Sequence, residues 1–288
     1  MAATIQWRDF VRVTKPGIVF GNTFAVVGGY FVGTGTIDWP AFLSLLVGSA
    51  AIIAASCVVN NYMDRDIDKH MKRTAARPSV TGAIPLDIAM YYATMLYVVG
   101  FGLLAWQTNL LVVGLGLVCA LLYTLVYGYA KRRTHYATLV GAVPGALPPA
   151  IGYVAAIGSF DRGALLLFLI MFAWQIPHFY AIAIRRQKDY ERAGIPVMPT
   201  VKGLPRTVWE MRLFGIAFVV LCFLLSRLGY EGFMFGLGMI SVGLYWLVPM
   251  FSPNWRTHTV ETATLVFKRS MLVLMTLCSF WVLSHVLL

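Results

Sequence analysis

The apolar positions of this chain fall into long runs of about twenty residues, without the alternation expected of strands. Nine such runs stand out, at residues 16–35, 40–61, 85–106, 109–130, 137–157, 163–184, 207–227, 231–250 and 265–287. Each is long enough to cross a bilayer as a helix, and a helix satisfies its own backbone polar groups there. Polar residues collect between the runs, most densely at 62–84 and 185–206.

The 23 Lys and Arg residues test the count. Three lie in the N-terminal arm through Lys15, five between the second and third runs, and three between the fourth and fifth. Seven lie between the sixth and seventh or at the adjoining helix end, and three in the eighth–ninth region, including Lys268 and Arg269. Only Arg162 and Arg227 fall on the opposite side. By the positive-inside rule the N-terminus and both large loops are cytoplasmic and the C-terminus lies outside. An even number of spans would break this alternation. The expected fold is therefore an all-α membrane protein of nine transmembrane helices, forming one polytopic domain over residues 1–288.

Composition agrees. Hydrophobic residues make up 59% of the chain and charged residues 12%, with a mean hydropathy of +0.74, which excludes a water-soluble domain. The net charge of +11 is accounted for by topology, so nucleic acid is not an expected partner; the lipid bilayer is. Cys57, Cys119, Cys222 and Cys278 lie inside apolar runs and read as small buried residues. No cleavable signal peptide is expected.

The candidate chemistry begins where the second run meets water. Asn61, Asp64 and Asp68 form N-x-x-D-x-x-x-D, and on a continuous helix they fall within an arc of about 60°, while Asp66 points elsewhere. An amide and two carboxylates on one face make a hard-oxygen site of the kind Mg²⁺ takes, together with substrate phosphate oxygens. Lys69, Lys72, Arg73 and Arg77 follow and are placed to hold the rest of a polyphosphate. The competing reading is an ordinary cytoplasmic loop carrying topology charges.

In the second polar segment, Pro177 is expected to kink the sixth helix, and His178 follows it inside the membrane. His178 is read either as a hydrogen-bonded interior histidine or as a functional one. Arg185, Arg186, Lys188 and Arg192 are suited to diphosphate or carboxylate groups, with Asp189 as metal ligand or arginine partner. Tyr123, Tyr127 and Lys131 form an i, i+4, i+8 stripe on the fourth helix, either packing or the wall of an allylic-chain site. The proline-rich run 141–149 is expected to bend the fifth helix and let its neighbours approach closely.

A faint repeat links the two loops. Pro78-Ser79-Val80-Thr81-Gly82 recurs as Pro199-Thr200-Val201-Lys202-Gly203, 121 residues later, and the same offset maps Asp68 onto Asp189. Four spans separate the copies, so they have the same orientation, as parallel repeats about the membrane normal do. Asp64 maps onto Arg185 and Asn61 onto Ile182, leaving acids in one half and mainly cations in the other.

These residues resemble the UbiA-type intramembrane prenyltransferases over essentially the whole chain. The matching stretches are Lys15-Pro16-Gly17, residues 60–68, residues 73–78, residues 141–149 and residues 174–180, of which the 73–78 and 174–180 runs point to the heme-modifying branch. The resemblance implies a nine-helix bundle whose loops 62–84 and 185–206 cap the site, in the bacterial cytoplasmic (inner) membrane. It implies transfer of a farnesyl group from farnesyl diphosphate to a vinyl group of heme b, with water addition. A downstream heme-modifying enzyme or oxidase would then be a partner. In that reading Asn61, Asp64 and Asp68 hold Mg²⁺ on the diphosphate, and Arg73, Arg77 and Lys131 neutralise the leaving oxygen. Tyr123 or Tyr127 faces the allylic cation. The family commonly has a second Asp-rich motif, of which this chain keeps Asp189, so a second Mg²⁺ is left open. The basic second loop suits an acceptor with two propionates better than a neutral quinone precursor. Two rivals remain, prenylation of a quinone-precursor ring and secondary transport of an anionic solute. The acids cluster at one surface, whereas transporter sites sit near the midplane.

Overall fold

A computed structural model describes residues 5–286 of the protein. Among the described residues there is no strand, and nine helices are long and apolar enough to cross a membrane. Eight of them are Pro16–Gly33, Trp39–Met63, Leu86–Gln107, Leu110–Ala130, Ala137–Ile157, Arg162–Arg185, Gly203–Arg227 and Phe233–Phe251. The ninth is Thr259–Val286; residue 287, the end of the ninth predicted run, lies outside the described residues. This ninth helix starts earlier than its apolar run, and Lys268 and Arg269 lie within it, as that run places them. Arg269 is accommodated there because its guanidinium stacks 3.8 Å from the Tyr245 ring centroid and donates to the Tyr245 carbonyl.

The even-numbered helices begin on one side and end on the other. Asp38, Asn109 and Asp161 cap their starts, each side chain accepting from a first-turn backbone N–H. Their C-terminal ends carry Asn61 and Asp64, then Tyr127 and Lys131, then His178 and Arg185. The candidate residues therefore arrive at one end of the bundle from three separate helices. Helix C-termini favour cations.

The first helix packs on the fifth and ninth, the second on the third, and the sixth on the fifth, seventh and ninth. Close approach of the first and fifth needs glycine on both sides. A β-carbon on Gly29 would overlap the Pro149 carbonyl, and one on Gly152 would overlap the Val26 carbonyl. The fifth helix runs unbroken through Pro144, Pro148 and Pro149. Pro148 has no N–H for the Pro144 carbonyl, and the Cys119 thiol donates to that oxygen instead at 3.2 Å. All four cysteines are free, and three of them are buried.

The 121-residue repeat is visible in the backbone. Pro78–Thr81 and Met198–Val201 are both single-turn helices. Each is followed by a left-handed glycine, Gly82 at φ +75° and, one residue beyond the second helix's cap, Gly203 at φ +78°. Asp68 and Asp189 are both buried, and each pairs with an arginine, Arg77 and Arg192 respectively.

Candidate active site

Sequence periodicity places Asn61, Asp64 and Asp68 on one continuous helix, and here the structure differs. The second helix ends at Met63, Asp64 is its C-cap, and a separate turn, Arg65–Asp68, follows. The three side chains nevertheless share an interior. Asn61, Asp64 and Asp68 are 1%, 6% and 2% exposed. The Asp66 side chain is 55% exposed and takes a two-pronged bond from Arg132, both distances 2.7 Å. Those hydrogen bonds hold the Asp66 carboxyl at about 2.

Each buried carboxylate has a cation. Lys131 pairs with Asp64 and Arg77 with Asp68, while the Thr74 hydroxyl ties the Asp68 carbonyl at 2.9 Å. Burial lowers the Lys131 ammonium pKa against the pull of Asp64. Two oxygens are left over. Asn61 Oδ1 and Asp64 Oδ1 are buried and accept no hydrogen bond. The Asn61 amide is turned so that Nδ2 donates to the Val13 carbonyl at 2.7 Å, which fixes the oxygen on the other side. No three His, Cys, Asp or Glu side chains converge among the described residues. A metal here would complete its shell with the Asn61 amide, water and substrate oxygens. Two orphaned hard oxygens one helical turn apart fit Mg²⁺, which normally keeps waters and phosphate oxygens as ligands.

The N-terminal arm contributes more than its charge count indicates. A short helix, Trp7–Val13, brings the Val13 carbonyl to Asn61. Lys15 then turns inward, and its ammonium donates to Asn60 Oδ1 at 3.0 Å. Burial draws that ammonium down to about 8.

On the fourth helix the predicted stripe is interrupted by a π-turn, Leu122–Val126, of the kind often found at functional sites. Tyr123 and Tyr127 still stack, with ring centroids 5.8 Å apart, and the Lys131 ammonium lies 5.2 Å from the Tyr127 centroid. The Tyr123 hydroxyl lies near the Cys57 thiol. One turn deeper, Cys119 lines a small apolar cavity of about 20 Å³ with Ile52, Leu104, Gly116, Pro148 and Ile151.

Tyr190 of the second loop feels the charges of the first. Burial raises its hydroxyl pKa, opposed by the charges of Arg73 and Arg77. Asp189 is the partner of Arg192. Arg73, Arg186, Lys188 and Arg192 are exposed, and Arg185 is half-buried. The Arg185 guanidinium sits 4.5 Å from the Phe267 centroid. His178 is buried beside it, stacked 4.7 Å from Trp174 and 5.0 Å from Phe267. Its Nδ1 lies 2.7 Å from the Ser270 hydroxyl, whose one proton goes to the Phe267 carbonyl at 2.6 Å. Ser270 must then accept, so Nδ1 carries the histidine proton and Nε2 keeps its lone pair.

Sequence reasoning assigned no role to Lys15, Cys57, Thr74, Arg132, Tyr190 or Ser270. Lys15 and Thr74 carried a signal, as members of the matching stretches Lys15-Pro16-Gly17 and 73–78.

A family model described as the UbiA prenyltransferase family matches residues 22–272. The chain belongs to the UbiA prenyltransferase family. This UbiA chain is 45% identical over 242 residues to protoheme IX farnesyltransferase of Yersinia pseudotuberculosis serotype O:1b, covering 83% of this chain and 82% of that one. It is 44% identical over 245 residues to the Escherichia coli O139:H28 protein of the same name, covering 84% and 83%. Among solved structures, a digeranylgeranylglyceryl phosphate synthase superposes with a TM-score of 0.78 at 16% identity, covering 98% of this chain and 99% of that one. A UbiA homolog from Archaeoglobus fulgidus bound to DMAPP and Mg²⁺ superposes with a TM-score of 0.67 at 16% identity, covering 93% and 99%. At that identity the structures establish the fold alone.

Proposed function

We propose that the protein transfers the farnesyl group of farnesyl diphosphate to a vinyl group of heme b, giving heme O and diphosphate. The observation that carries the acceptor is the 45% identity to protoheme IX farnesyltransferase across most of both chains. The donor is supported by geometry, a buried amide and two carboxylates paired with cations at one end of the bundle.

Asn61 and Asp64 would hold Mg²⁺ through the oxygens that accept no hydrogen bond, with Asp68 as the further carboxylate. The ion's chemistry is to draw charge from the departing diphosphate. Lys131 and Arg77 sit on the same carboxylates and are placed to swing their donors onto phosphate oxygens, with Arg73 at the rim. The allylic carbon–oxygen bond breaks and its electron pair leaves on the diphosphate oxygen. The terminal vinyl carbon of heme b then bonds to the farnesyl carbon. The positive charge passes to the carbon next to the pyrrole, where water adds and loses a proton to solvent or diphosphate. The faces of Tyr123 and Tyr127 lie beside this path and favour a developing cation. Their hydroxyl and ring packing also excludes bulk water that would otherwise capture it.

His178, with Nε2 as the free nitrogen, is the proposed contact to heme iron, since a neutral imidazole is a common axial ligand. Arg185, Arg186, Lys188 and Arg192 are the proposed partners of the propionates, with Asp189 holding Arg192 in place. Loops 62–84 and 185–206 act as the cap. The positive-inside distribution supports a cytoplasmic cap, a cytoplasmic N-terminus and an outer C-terminus in a bacterial inner membrane. The product would pass to a heme-modifying enzyme or an oxidase. Purified protein given heme b, farnesyl diphosphate and Mg²⁺ should form heme O. Prenylation of an aromatic acid and not of heme would favour a quinone precursor instead.

A further inference from the structure

Lys15 is the one non-glycine residue with positive φ among the described residues, at φ 55°. It also precedes Pro16, a position that ordinarily forces extended backbone. A lysine in the left-handed region costs conformational energy and persists only when its surroundings hold it there. What the strain achieves is a change of direction. The chain leaves the Trp7–Val13 helix along the bundle's end, and the Lys15 side chain drops inward to Asn60 before the first membrane helix begins.

The charge balance around it is uneven. Asp64 and Asp68 each already have a cation, Lys131 and Arg77. Among the described residues no carboxylate pairs with Lys15. Its ammonium donates to the neutral oxygen of Asn60 at 3.0 Å, with the Asp64 charge acting on it from beyond ion-pair distance. An interior cation with no counter-ion is costly, so its retention marks a place that an anion completes. Asn60 is adjacent to Asn61 and about one helical turn before Asp64, whose N–H donates to the Asn60 carbonyl, which places the surplus charge near the two oxygens that accept no hydrogen bond.

We infer that Lys15 is a ligand of the diphosphate, supplying the positive charge that the carboxylates leave uncancelled and reached through the strained turn of the N-terminal arm. A prenyl diphosphate keeps net negative charge after taking up one Mg²⁺, and the Lys15 ammonium matches that remainder. The arm is therefore part of the site: Val13 orients the Asn61 amide, and Lys15 meets the phosphate. The inference rests on the prenyl diphosphate reading of the site.

The test is binding of farnesyl thiodiphosphate, a slowly reacting analogue, to detergent-purified protein with Mg²⁺, beside separate titration of heme b. Lys15→Met and Lys15→Gln are expected to weaken the analogue at least about tenfold while heme b affinity is unchanged. Without ligand, Lys15→Met should melt no lower than the parent, because it removes an uncompensated interior charge. If Lys15→Met fails to insert, Lys15→Gln, which can keep the bond to Asn60, decides. Parental affinity in the folded variants, or a lowered melting temperature with parental affinity, overturns the inference. Asp64→Ala separates the two levels: if it loses the analogue while the Lys15 variants keep it, Lys15 falls and the diphosphate site stands. Retention of the analogue by all three would remove both.

Discussion

The Lys131 ammonium pairs with the Asp64 carboxylate, joining the end of the fourth helix to the end of the second across 67 positions of sequence. Both side chains are 9% exposed, so neither charge has water to fall back on. Removing one partner of such a pair strands the other, at about 3–5 kcal/mol. Lys131→Met is therefore expected to lower the melting temperature and to abolish turnover together. Lys131→Arg should recover most of the stability. A Lys131→Met protein that melts with the parent would mean that the pair does not hold these helices.

Asp64 and Asp68 separate from Asp66 in the same way. Asp64→Ala and Asp68→Ala are expected to reduce heme O formation by about a thousandfold or more while the protein still inserts. Asp66→Asn breaks only a rim contact with Arg132 and should cost less than about tenfold. Steady-state assays at saturating Mg²⁺ distinguish the three. Near-parental rates for either alanine variant would remove that carboxylate from the metal site.

The repeat makes Asp189 the counterpart of Asp68, yet their settings differ. Asp68 is one turn beyond Asp64, whereas the position matching Asp64 is Arg185. Asp189→Asn is accordingly expected to disturb Arg192 and weaken heme b binding, with little change in the Mg²⁺ concentration giving half-maximal rate. A large shift in that concentration would make Asp189 a metal ligand.

His178 offers a spectroscopic readout. His178→Ala should weaken heme b binding and change its absorption spectrum, with farnesyl diphosphate affinity nearly unchanged. Ser270→Ala keeps the ring but removes the acceptor for Nδ1–H, so a smaller spectral change is expected. Unchanged heme spectra with a lowered melting temperature would leave His178 as a packing residue between Trp174 and Phe267.

Far from the site, Glu231 lies between the seventh and eighth helices, and burial raises its carboxyl from 4.5 to about 7. Its folded value is above its unfolded one, so the protonated form favours folding. Stability from this group is present below pH 4.5 and is lost as pH rises towards 7, by about 3 kcal/mol at most. Thermal melts across that range should show the fall, and Glu231→Gln should flatten it without altering turnover at a fixed pH. A parental slope in Glu231→Gln would place the titration elsewhere.

Much of this was legible in the residues. Runs of some twenty apolar residues leave helices as the one economical solution in a bilayer, and the charges between them count the crossings. Asn61, Asp64 and Asp68 stand out because polar groups at a membrane helix end are expensive without a use. Other features depend on contacts that no local pattern records. Lys15 looks like any topology lysine until the fold sets it against Asn60, 45 positions away. Ser270 gains its role from His178, 92 positions distant. The break at Asp64 and the π-turn at Leu122–Val126 shift the register of otherwise regular spacings.

The most direct measurement is the mass of the tetrapyrrole that accumulates when the protein is expressed in cells making heme b, beside an Asp64→Ala control. The account predicts a new species, heme b plus a farnesyl group and one water, in the parent and absent from the control. Heme b alone in both, with a prenylated quinone precursor in the parent, would contradict it.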